Sequence, residues 1–240
     1  MLFFKKKKAA IETLQRPEKE MCPQPLTLPE LDAQIKTRVE TITQEFTDGF
    51  NFIKASEKTV SFFGSARTLP DEDDYKNAHK LAEEVSKLGY AVVTGGGPGI
   101  MEAANRGSFE NKGESLGLTI KLPMEQITNK FMNRNLPFKY FFARKVALTY
   151  AAEAYVYFPG GFGTMDELFE ILTLVQTNKI ERVPVILFGS YFWNPLRQFL
   201  VDQLAIRGKI DQSDLDLFVI TDSIDTAVDI IKAAPIRKAN

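Results

Sequence analysis

The chain has 240 residues, of which 44% are hydrophobic and 25% are charged, and its formal net charge at pH 7 is −1. This size and composition are typical of one ordinary globular domain with an extension. The nearly neutral charge argues against a protein that binds nucleic acid by neutralising its phosphates. Cys22 is the single cysteine, which excludes an internal disulfide and fits a reducing compartment.

The N-terminus reads Met1-Leu2-Phe3-Phe4 and continues with the lysines Lys5 to Lys8. No apolar run follows that is long enough for a signal sequence or a membrane span, so we expect a cytoplasmic protein. The lysines are interpreted as a solvated tail, with a membrane-surface or nucleic-acid contact as the alternative. Residues 1 to about 26 are expected to be irregular because three prolines interrupt any regular pattern.

A long amphipathic helix is predicted to start near Thr27. Thr27 and Glu30 have the spacing of a capping box, and Pro29 falls in the first turn. Apolar residues then recur at steps of three or four and form one face: Leu31, Ile35, Val39, Ile42, Phe46, Phe50 and Ile53. We expect this face to be buried partly on the protein's own core and partly on another subunit. Residues 1–57 are therefore assigned to a tail and helix, and residues 58–240 to the main domain.

From Thr59 onward, short apolar strands alternate with amphipathic helices. The predicted strands are Thr59–Phe63, Tyr90–Thr94, Ser115–Leu122, Ala154–Phe158, Val183–Phe188 and Leu217–Thr221. The predicted helices are Asp71–Leu88, Ile100–Asn111, Phe141–Ala152, Thr164–Asn178, Trp193–Ile206 and Ser223–Ala233. A segment through Pro123 and Pro137 is expected to be a link. The alternation predicts an α/β fold with a parallel sheet that helices cover on both faces.

Three of the predicted strands end in turns rich in glycine or serine, which are Gly64–Ser65, Gly95–Gly99 and Gly160–Gly163. Ligands bind beyond the carboxyl ends of parallel strands, so we expect these turns to converge. Glycines at a strand-to-helix turn let backbone N–H groups approach an anion, and the helix dipole favours its charge. The Gly95–Gly99 turn lacks the spacing of a dinucleotide fingerprint and the end of a P-loop, so a tight turn without a ligand is the alternative there.

The run Pro159–Glu167 reads Pro-Gly-Gly-Phe-Gly-Thr-Met-Asp-Glu and adds a threonine and two carboxylates to its glycine turn. Thr164 and Glu167 are three positions apart, which fits a capping box in which Glu167 serves only the helix N-terminus. A carboxylate beside a bound phosphate weakens binding, however, and this favours a functional role for Glu167. Spacing alone leaves both interpretations open.

Two further features concern cations and the single histidine. The segment Lys139–Lys145 combines three cations with an aromatic cluster, which is typical either of a solvated helix face or of a pocket for a flat base and an anion. His79 is the only histidine and lies in a predicted helix, where we interpret it as an ordinary helix residue. Without a Cys/His cluster, a zinc site is not expected.

The run Pro159–Glu167 resembles the P-G-G-x-G-T-x-x-E signature of the LOG (Lonely Guy) family. Phe63-Gly64-Ser65 and Gly95–Met101 resemble the family's first two glycine turns, and Arg144-Lys145 resembles its Arg-Lys pair. The resemblance covers about residues 58 to 233. It implies a Rossmann-like doubly wound parallel sheet and the activity of a cytokinin riboside 5′-monophosphate phosphoribohydrolase, long mislabelled as a lysine decarboxylase.

The resemblance also implies the roles of individual residues. Arg144 and Glu167 would be catalytic. The residues expected to bind the substrate or its phosphate are Gly64, Ser65, Gly97, Met101, Lys145, Gly160, Gly161, Gly163 and Thr164. The expected partner is a small nucleotide, without nucleic acid, membrane, metal or organic cofactor. A homodimer or larger homo-oligomer with shared active sites is expected.

The reaction implied is hydrolysis of the N-glycosidic bond of a nucleoside 5′-monophosphate to a free base and ribose 5-phosphate. Two departures resemble a larger bacterial branch of the family: Glu102 stands where many plant-type members have glycine, and residues 1–57 precede the first strand. AMP and cytokinin nucleotides therefore both stay open as substrates. The alternatives are a non-catalytic carrier of a nucleotide or molybdenum cofactor and, from the old family label, a pyridoxal-phosphate decarboxylase.

Overall fold

The structure is a computed structural model that describes residues 27–121 and 128–236. The N-terminal lysines, Cys22, the segment expected to be irregular, Leu122 and Pro123 lie outside these residues. The chain divides into two compact units, Met1–Thr43 and Gln44–Asn240. The domain boundary expected after residue 57 stays a prediction.

The described part of the first unit is the beginning of helix α1, which spans Leu28–Lys54. Thr27 donates to Glu30 Oε2 from its backbone N at 2.9 Å and from its Oγ1 at 2.7 Å. This confirms the predicted helix start, because Glu30 returns its carboxylate to the residue that precedes the first turn. The apolar face is not buried here: Leu31, Ile35 and Val39 are exposed.

The described residues of the second unit form a seven-stranded sheet in which every strand pair is parallel. Its strands are β1 (Thr59–Phe63), β2 (Ala91–Thr94), β3 (Ser115–Ile120), β4 (Arg134–Phe138), β5 (Ala154–Tyr157), β6 (Val185–Phe188) and β7 (Val219–Thr221). The strand order is β4-β3-β2-β1-β5-β6-β7. The sheet grows in one direction from β1 to β4 and in the other from β5 to β7, which confirms the doubly wound fold.

Among the described residues, six α-helices follow α1 and cover the sheet. They are α2 (Asp73–Lys87), α3 (Ile100–Glu110), α4 (Phe141–Tyr150), α5 (Phe162–Gln176), α6 (Ser190–Phe199) and α7 (Ile224–Lys232). A π-helical segment, Leu200–Ala205, continues α6, and a 3₁₀ turn, Gln212–Asp216, precedes β7. Residues of α2, α3 and α7 form one apolar core, and residues of α4, α5 and α6 form the other.

Helix α2 shows how local sequence sets an element's end. Gly89 has φ +81, and its backbone N donates to Ser86 O at 2.9 Å while Tyr90 N donates to Val85 O at 3.2 Å. These paired bonds are a Schellman motif, whose left-handed position favours glycine. The stop predicted at Gly89 is therefore confirmed.

Strand β4 lies where the sequence predicts a link, and this prediction is wrong. The strand contains Pro137, which pairs with Thr119 of β3. Proline cannot donate to a sheet ladder and is tolerated at a sheet edge, and among the described strands β4 is hydrogen-bonded only to β3. Pro137, together with the polar residues Arg134 and Asn135 at the start of β4, therefore conceals an edge strand from sequence-based prediction.

Candidate active site

The three glycine turns meet at the carboxyl ends of β1, β2 and β5, as predicted. Ser65 N donates to Pro159 O at 3.0 Å, which joins the first turn to the third. Ile100 N donates to Ser65 O at 3.0 Å, which joins the helix start after the second turn to the first. Because β1 and β5 are adjacent at the point where the sheet reverses its growth, the turns border the crevice in which such sheets bind ligands.

The second turn, Gly95–Gly99, is filled by the side chain of Met101. A Cβ built on Gly95 would lie 2.9 Å from Met101 Sδ, and one built on Gly97 would lie 2.7 Å from Met101 Cε. Gly96 N already donates to Thr94 Oγ1 at 2.9 Å. These glycines make room for a thioether, so Gly97 and Met101 lie against each other. The expected contact of both residues with the substrate stays a prediction.

The second turn is also held from outside by Asn129, which is buried. Asn129 N donates to Gly96 O at 2.9 Å, and Asn129 Nδ2 donates to Gly97 O at 3.0 Å. The sequence does not single out Asn129, because this residue lies in the segment predicted to be a link. The signal available was weak, since an asparagine near a turn is common on any surface.

The third turn, Pro159–Gly163, is open where the second is filled. A Cβ built on Gly161 or on Gly163 would meet no atom of the described residues within 4 Å. Helix α5 begins at Phe162, with Gly161 as its N-cap and no side-chain hydrogen bond to the cap. The first backbone N–H groups of α5 and its dipole thus offer a site for an anion such as phosphate.

Glu167 does not cap this helix. Because α5 begins at Phe162, two residues before the predicted start at Thr164, Glu167 lies in the second turn and the first turn holds no acidic residue. The capping-box interpretation of Thr164 and Glu167 is therefore wrong. Thr164 instead packs under the turn, where a Cβ on Gly160 would lie 2.1 Å from its Oγ1.

The side chain of Glu167 is buried and has an unusual pKa. Only 7% of the residue is exposed. Burial raises the pKa of Glu167 to about 7; Lys145 and Arg144 oppose this rise, whereas Glu170 and Asp166 add to it. A carboxyl group that titrates near neutral pH is suited to proton transfer or to stabilising a developing positive charge.

Tyr157 supports the backbone at Glu167 from the sheet. Its hydroxyl donates to Glu167 O at 3.2 Å, and its ring stacks on Phe63 with centroids 4.8 Å apart. Sequence reasoning treated Tyr157 only as a strand residue. Its signal was a hydroxyl at a position where the pattern predicts full burial.

Arg144 lies on α4 and reaches the second turn. A Cβ on Gly95 would lie 3.4 Å from its Nη1. Burial lowers the pKa of Arg144 and the charge of Glu167 opposes this change. Within the described residues, Arg144 Nε is buried without a hydrogen-bond partner. A desolvated guanidinium with an unused donor is a place for a polar or anionic ligand atom.

Lys145, the neighbour of Arg144, forms ion pairs with two carboxylates of helix α5. Its Nζ lies 2.7 Å from Asp166 Oδ2 and 2.8 Å from Glu170 Oε2. These ion pairs join α4 to α5 on either side of Glu167 in sequence. A direct contact of Lys145 with phosphate stays a prediction.

Two residues singled out in the sequence take structural roles. His79 lies in α2, and its Nε2 is 3.0 Å from Glu110 Oε2 of α3. Glu102 accepts a hydrogen bond from the Tyr75 hydroxyl at 3.1 Å. Across residues 27–121 and 128–236, no cluster of His, Cys, Asp and Glu is arranged to hold a metal ion, and no helix could cross a membrane.

Comparison with known proteins decides the family. Residues 101–231, more than half of the chain, match the family model described as "Possible lysine decarboxylase", the old label of the LOG family. The chain belongs to the LOG family.

Relatives of this LOG chain act on nucleoside monophosphates by name. A probable cytokinin riboside 5′-monophosphate phosphoribohydrolase of Oryza sativa subsp. japonica is 29% identical over 161 residues, which cover 65% of this chain and 74% of the relative. A pyrimidine/purine nucleotide 5′-monophosphate nucleosidase of Escherichia coli (strain K12) is 24% identical over 184 residues, which cover 71% of this chain and 40% of the relative.

Solved structures share the LOG chain's fold. The X-ray structure of a structural-genomics target, TM1055, superposes with a TM-score of 0.57 at 24% identity and covers 73% of this chain and 98% of that chain. The molybdenum cofactor binding protein of Rippkaea orientalis superposes with a TM-score of 0.55 at 19% identity and covers 74% of this chain and 96% of that chain. At these identities the likeness establishes the Rossmann-like fold alone.

Proposed function

We propose that this protein hydrolyses the N-glycosidic bond of a nucleoside 5′-monophosphate and releases a free base and ribose 5-phosphate. The observation that carries the proposal is a buried carboxyl group, Glu167, that follows an open helix N-terminus and titrates near pH 7. An anion-binding helix start and a tuned acid are the two parts that this reaction needs.

The open turn at Gly161 and Gly163 would hold the 5′-phosphate and so fix the ribose above Glu167. Binding the phosphate, which does not react, orients C1′ for attack. A positive charge then develops at C1′, as in other glycoside hydrolysis. The carboxylate of Glu167 would stabilise that charge or orient the attacking water.

Arg144 would hold the base or the ribose through its unused Nε donor. The water oxygen forms a bond to C1′, the C1′–N bond breaks, and its electron pair leaves with the base. The water gives up a proton, and the departing base gains one. No resident metal or organic cofactor enters this balance.

A carrier without catalysis is the second candidate, because the similar folds include a molybdenum cofactor binding protein. The carboxyl group of Glu167, on the helix whose N-terminus would bind the phosphate, argues against a carrier. An ionised carboxylate beside an anionic ligand weakens binding, and a carrier gains nothing from that cost.

Adenine and N6-isopentenyladenine nucleotides both stay within the proposal, and with them a role in cytokinin biosynthesis.

The test is to incubate the protein with a panel of nucleoside 5′-monophosphates, including AMP and an N6-isopentenyl analogue, and to follow free base by chromatography. We expect one or more to be hydrolysed. Glu167→Gln should lose most of the activity, whereas Glu181→Gln, at an exposed position, should retain it. Release of no base from any nucleotide, or full activity of Glu167→Gln, contradicts the proposal.

We propose in addition that the active form is a homodimer or larger homo-oligomer in the cytoplasm. Helices α4 and α5 carry exposed apolar side chains next to the site, among them Phe141 (56% exposed), Tyr150 (51%) and Phe162 (96%). An open groove of about 770 Å³ lies along α5 and is lined by Phe162, Met165 and Phe169. A second copy would cover such a surface. Sedimentation of the protein and of Phe162→Asp tests this, and a monomeric parent chain contradicts it.

A further inference from the structure

Arg144 depends on the backbone of α4 for its position. Its Nε has no hydrogen-bond partner among the described residues, so no such bond locks that end of the guanidinium. Arg144 N donates to Tyr140 O at 3.2 Å, which closes the first turn of the helix. Whatever holds Tyr140 therefore holds the turn from which Arg144 projects.

Glu45 of α1 holds that turn. Its Oε1 accepts a hydrogen bond from Lys139 N at 2.5 Å, and its Oε2 accepts one from Tyr140 N at 3.2 Å. Tyr140 is the N-cap of α4 and provides no side-chain cap of its own. Glu45 therefore accepts from the N-cap N–H, as the glutamate of a capping box does, although it belongs to another helix, and the α4 dipole favours its negative charge.

The segment Gln44–Lys54 of α1 contacts α4 along its length. Gly49 is buried, and a Cβ there would lie 3.1 Å from Ala147 Cβ, so the two helices approach closely. The rings of Phe50 and Tyr150 meet edge to face with centroids 4.8 Å apart. These contacts fix the distance between α4 and α1, and the hydrogen bonds to Glu45 fix the N-terminal end of α4.

The same segment is fixed to the sheet at its carboxyl end. Arg134 Nη2 donates to Phe52 O at 2.6 Å, and the guanidinium lies over the Phe52 ring at 4.5 Å from its centroid. Arg134 Nη1 also pairs with Glu114 Oε1 at 2.5 Å. Glu45 is thus carried on a helix end that the sheet itself anchors.

We propose that Glu45 is a positioning residue for Arg144, and that the carboxyl-terminal part of α1 contributes to the active site. This rests on the proposed function, since it assigns Glu45 to the same reaction. From the sequence alone, the only role predicted for this helix is to bury its apolar face on the core or on another subunit.

The test compares Glu45→Ala and Glu45→Gln with Glu40→Ala in the full chain. Glu40 is exposed on the same helix and serves as the matched control. We expect Glu45→Ala to lower kcat by up to about 10²-fold, the effect of misplacing a catalytic group by about 1 Å, with little change in KM. Glu45→Gln keeps an oxygen acceptor and should recover most of the loss.

Two readouts separate positioning from partial unfolding. The stoichiometry of ribose 5-phosphate binding, measured by calorimetry, gives the folded fraction. The pH profile of kcat/KM reports on the position of Arg144, because the charge of Arg144 lowers the pKa of Glu167. If that charge moves away from Glu167, this pKa rises. The rising limb, over which kcat/KM increases with pH, then moves to higher pH. The other charged groups around Glu167, namely Lys145, Glu170 and Asp166, are unchanged in these variants.

The outcomes are distinct. Normal kcat and an unmoved limb in Glu45→Ala, with the parent chain active, overturn the inference about Glu45. An inactive parent chain contradicts the proposed function instead. In that case, hydrogen exchange over residues 139–145 still tests the cap, since unchanged exchange in Glu45→Ala shows that Glu45 does not hold α4. If Glu45→Ala does not fold, Glu45→Asp replaces it in the same measurements, and a normal kcat there, where the shorter side chain draws the carboxylate back, likewise overturns the inference.

Discussion

Lys145 Nζ lies 2.7 Å from Asp166 Oδ2, so one cation joins α4, which carries Arg144, to α5, which carries Glu167. Its second carboxylate partner, Glu170, is on the same helix, at 2.8 Å. Lys145 therefore joins the two helices that carry the proposed catalytic side chains, and its charge lowers the pKa of Glu167.

Lys145→Met should move the rising limb of activity to higher pH. Lys145 lowers the pKa of Glu167, so its removal raises that pKa and leaves less carboxylate at a given pH below it. The loss should be larger at pH 6 than at pH 8, measured as kcat/KM over that range. Lys179→Met, at an exposed position, is the control. An equal loss at both pH values would show that Lys145 acts on the substrate and not through Glu167.

Glu167→Gln should lower kcat by about 10²–10⁴-fold, the range for a proton-transfer or charge-stabilising group. KM should change little, because the phosphate is held by another turn. Single-turnover kinetics with the hydrolysed nucleotide measure the chemical step alone. An unchanged chemical step would assign Glu167 to structure.

The same variant should be more stable than the parent chain at high pH. The pKa of Glu167 is raised from 4.5 to about 7, so its stabilising contribution is present below pH 4.5 and is lost as pH rises through about 7. At pH 8 the neutral glutamine should gain up to about 3 kcal/mol of unfolding free energy, and at pH 4 almost none. Thermal melts at the two pH values check this. A gain of the same size at pH 4 would contradict the assignment.

Two glycines of the third turn should respond differently to alanine. Gly160→Ala places a methyl group 2.1 Å from Thr164 Oγ1, so we expect it to cost about 1–3 kcal/mol in stability. Gly163→Ala meets nothing within 4 Å and lies in a helix, so its stability should stay the same or rise by up to about 1 kcal/mol. Any loss of ribose 5-phosphate affinity in Gly163→Ala must then come from contact of the added methyl group with the bound ligand, and not from a weakened fold. Unchanged affinity would place the phosphate elsewhere.

Gly99→Ala should destabilise the fold more than Gly208→Ala. Both positions have positive φ, +70 and +64, but a Cβ on Gly99 would lie 2.3 Å from Ser65 O, whereas one on Gly208 meets nothing within 4 Å. We expect about 3 kcal/mol or more at Gly99 from strain and overlap together, and about 1 kcal/mol at Gly208 from strain alone. Denaturant unfolding of both variants measures the difference. Equal losses would mean that the contact between the first and second turns carries no stability.

Much of the fold was predictable because its signals are local. Apolar strands, Gly89 and the pair Thr27 and Glu30 act within a few residues, and the structure bears them out. Strand β4 was not predictable in this way, since its pairing with β3 is a tertiary event and Pro137 reads locally as a break.

The site was predictable in its turns but not in its details. The convergence of the glycine turns follows from the parallel topology. The start of α5 at Phe162 depends on backbone geometry, which the spacing of Thr164 and Glu167 does not predict. Burial of Glu167 and its pKa come from surrounding helices. The hydrogen bonds from Lys139 and Tyr140 to Glu45 join residues far apart in the chain, which no local pattern reports.

Pro137 has a consequence for how this protein can assemble. It removes one donor from β4, which closes one side of the sheet, and β7 on the opposite side is only three residues long. A short border strand and a border strand with proline are poor templates for recruiting a further strand from another molecule. The sheet is therefore guarded against growth into fibrous aggregates, and association is left to the helical surfaces.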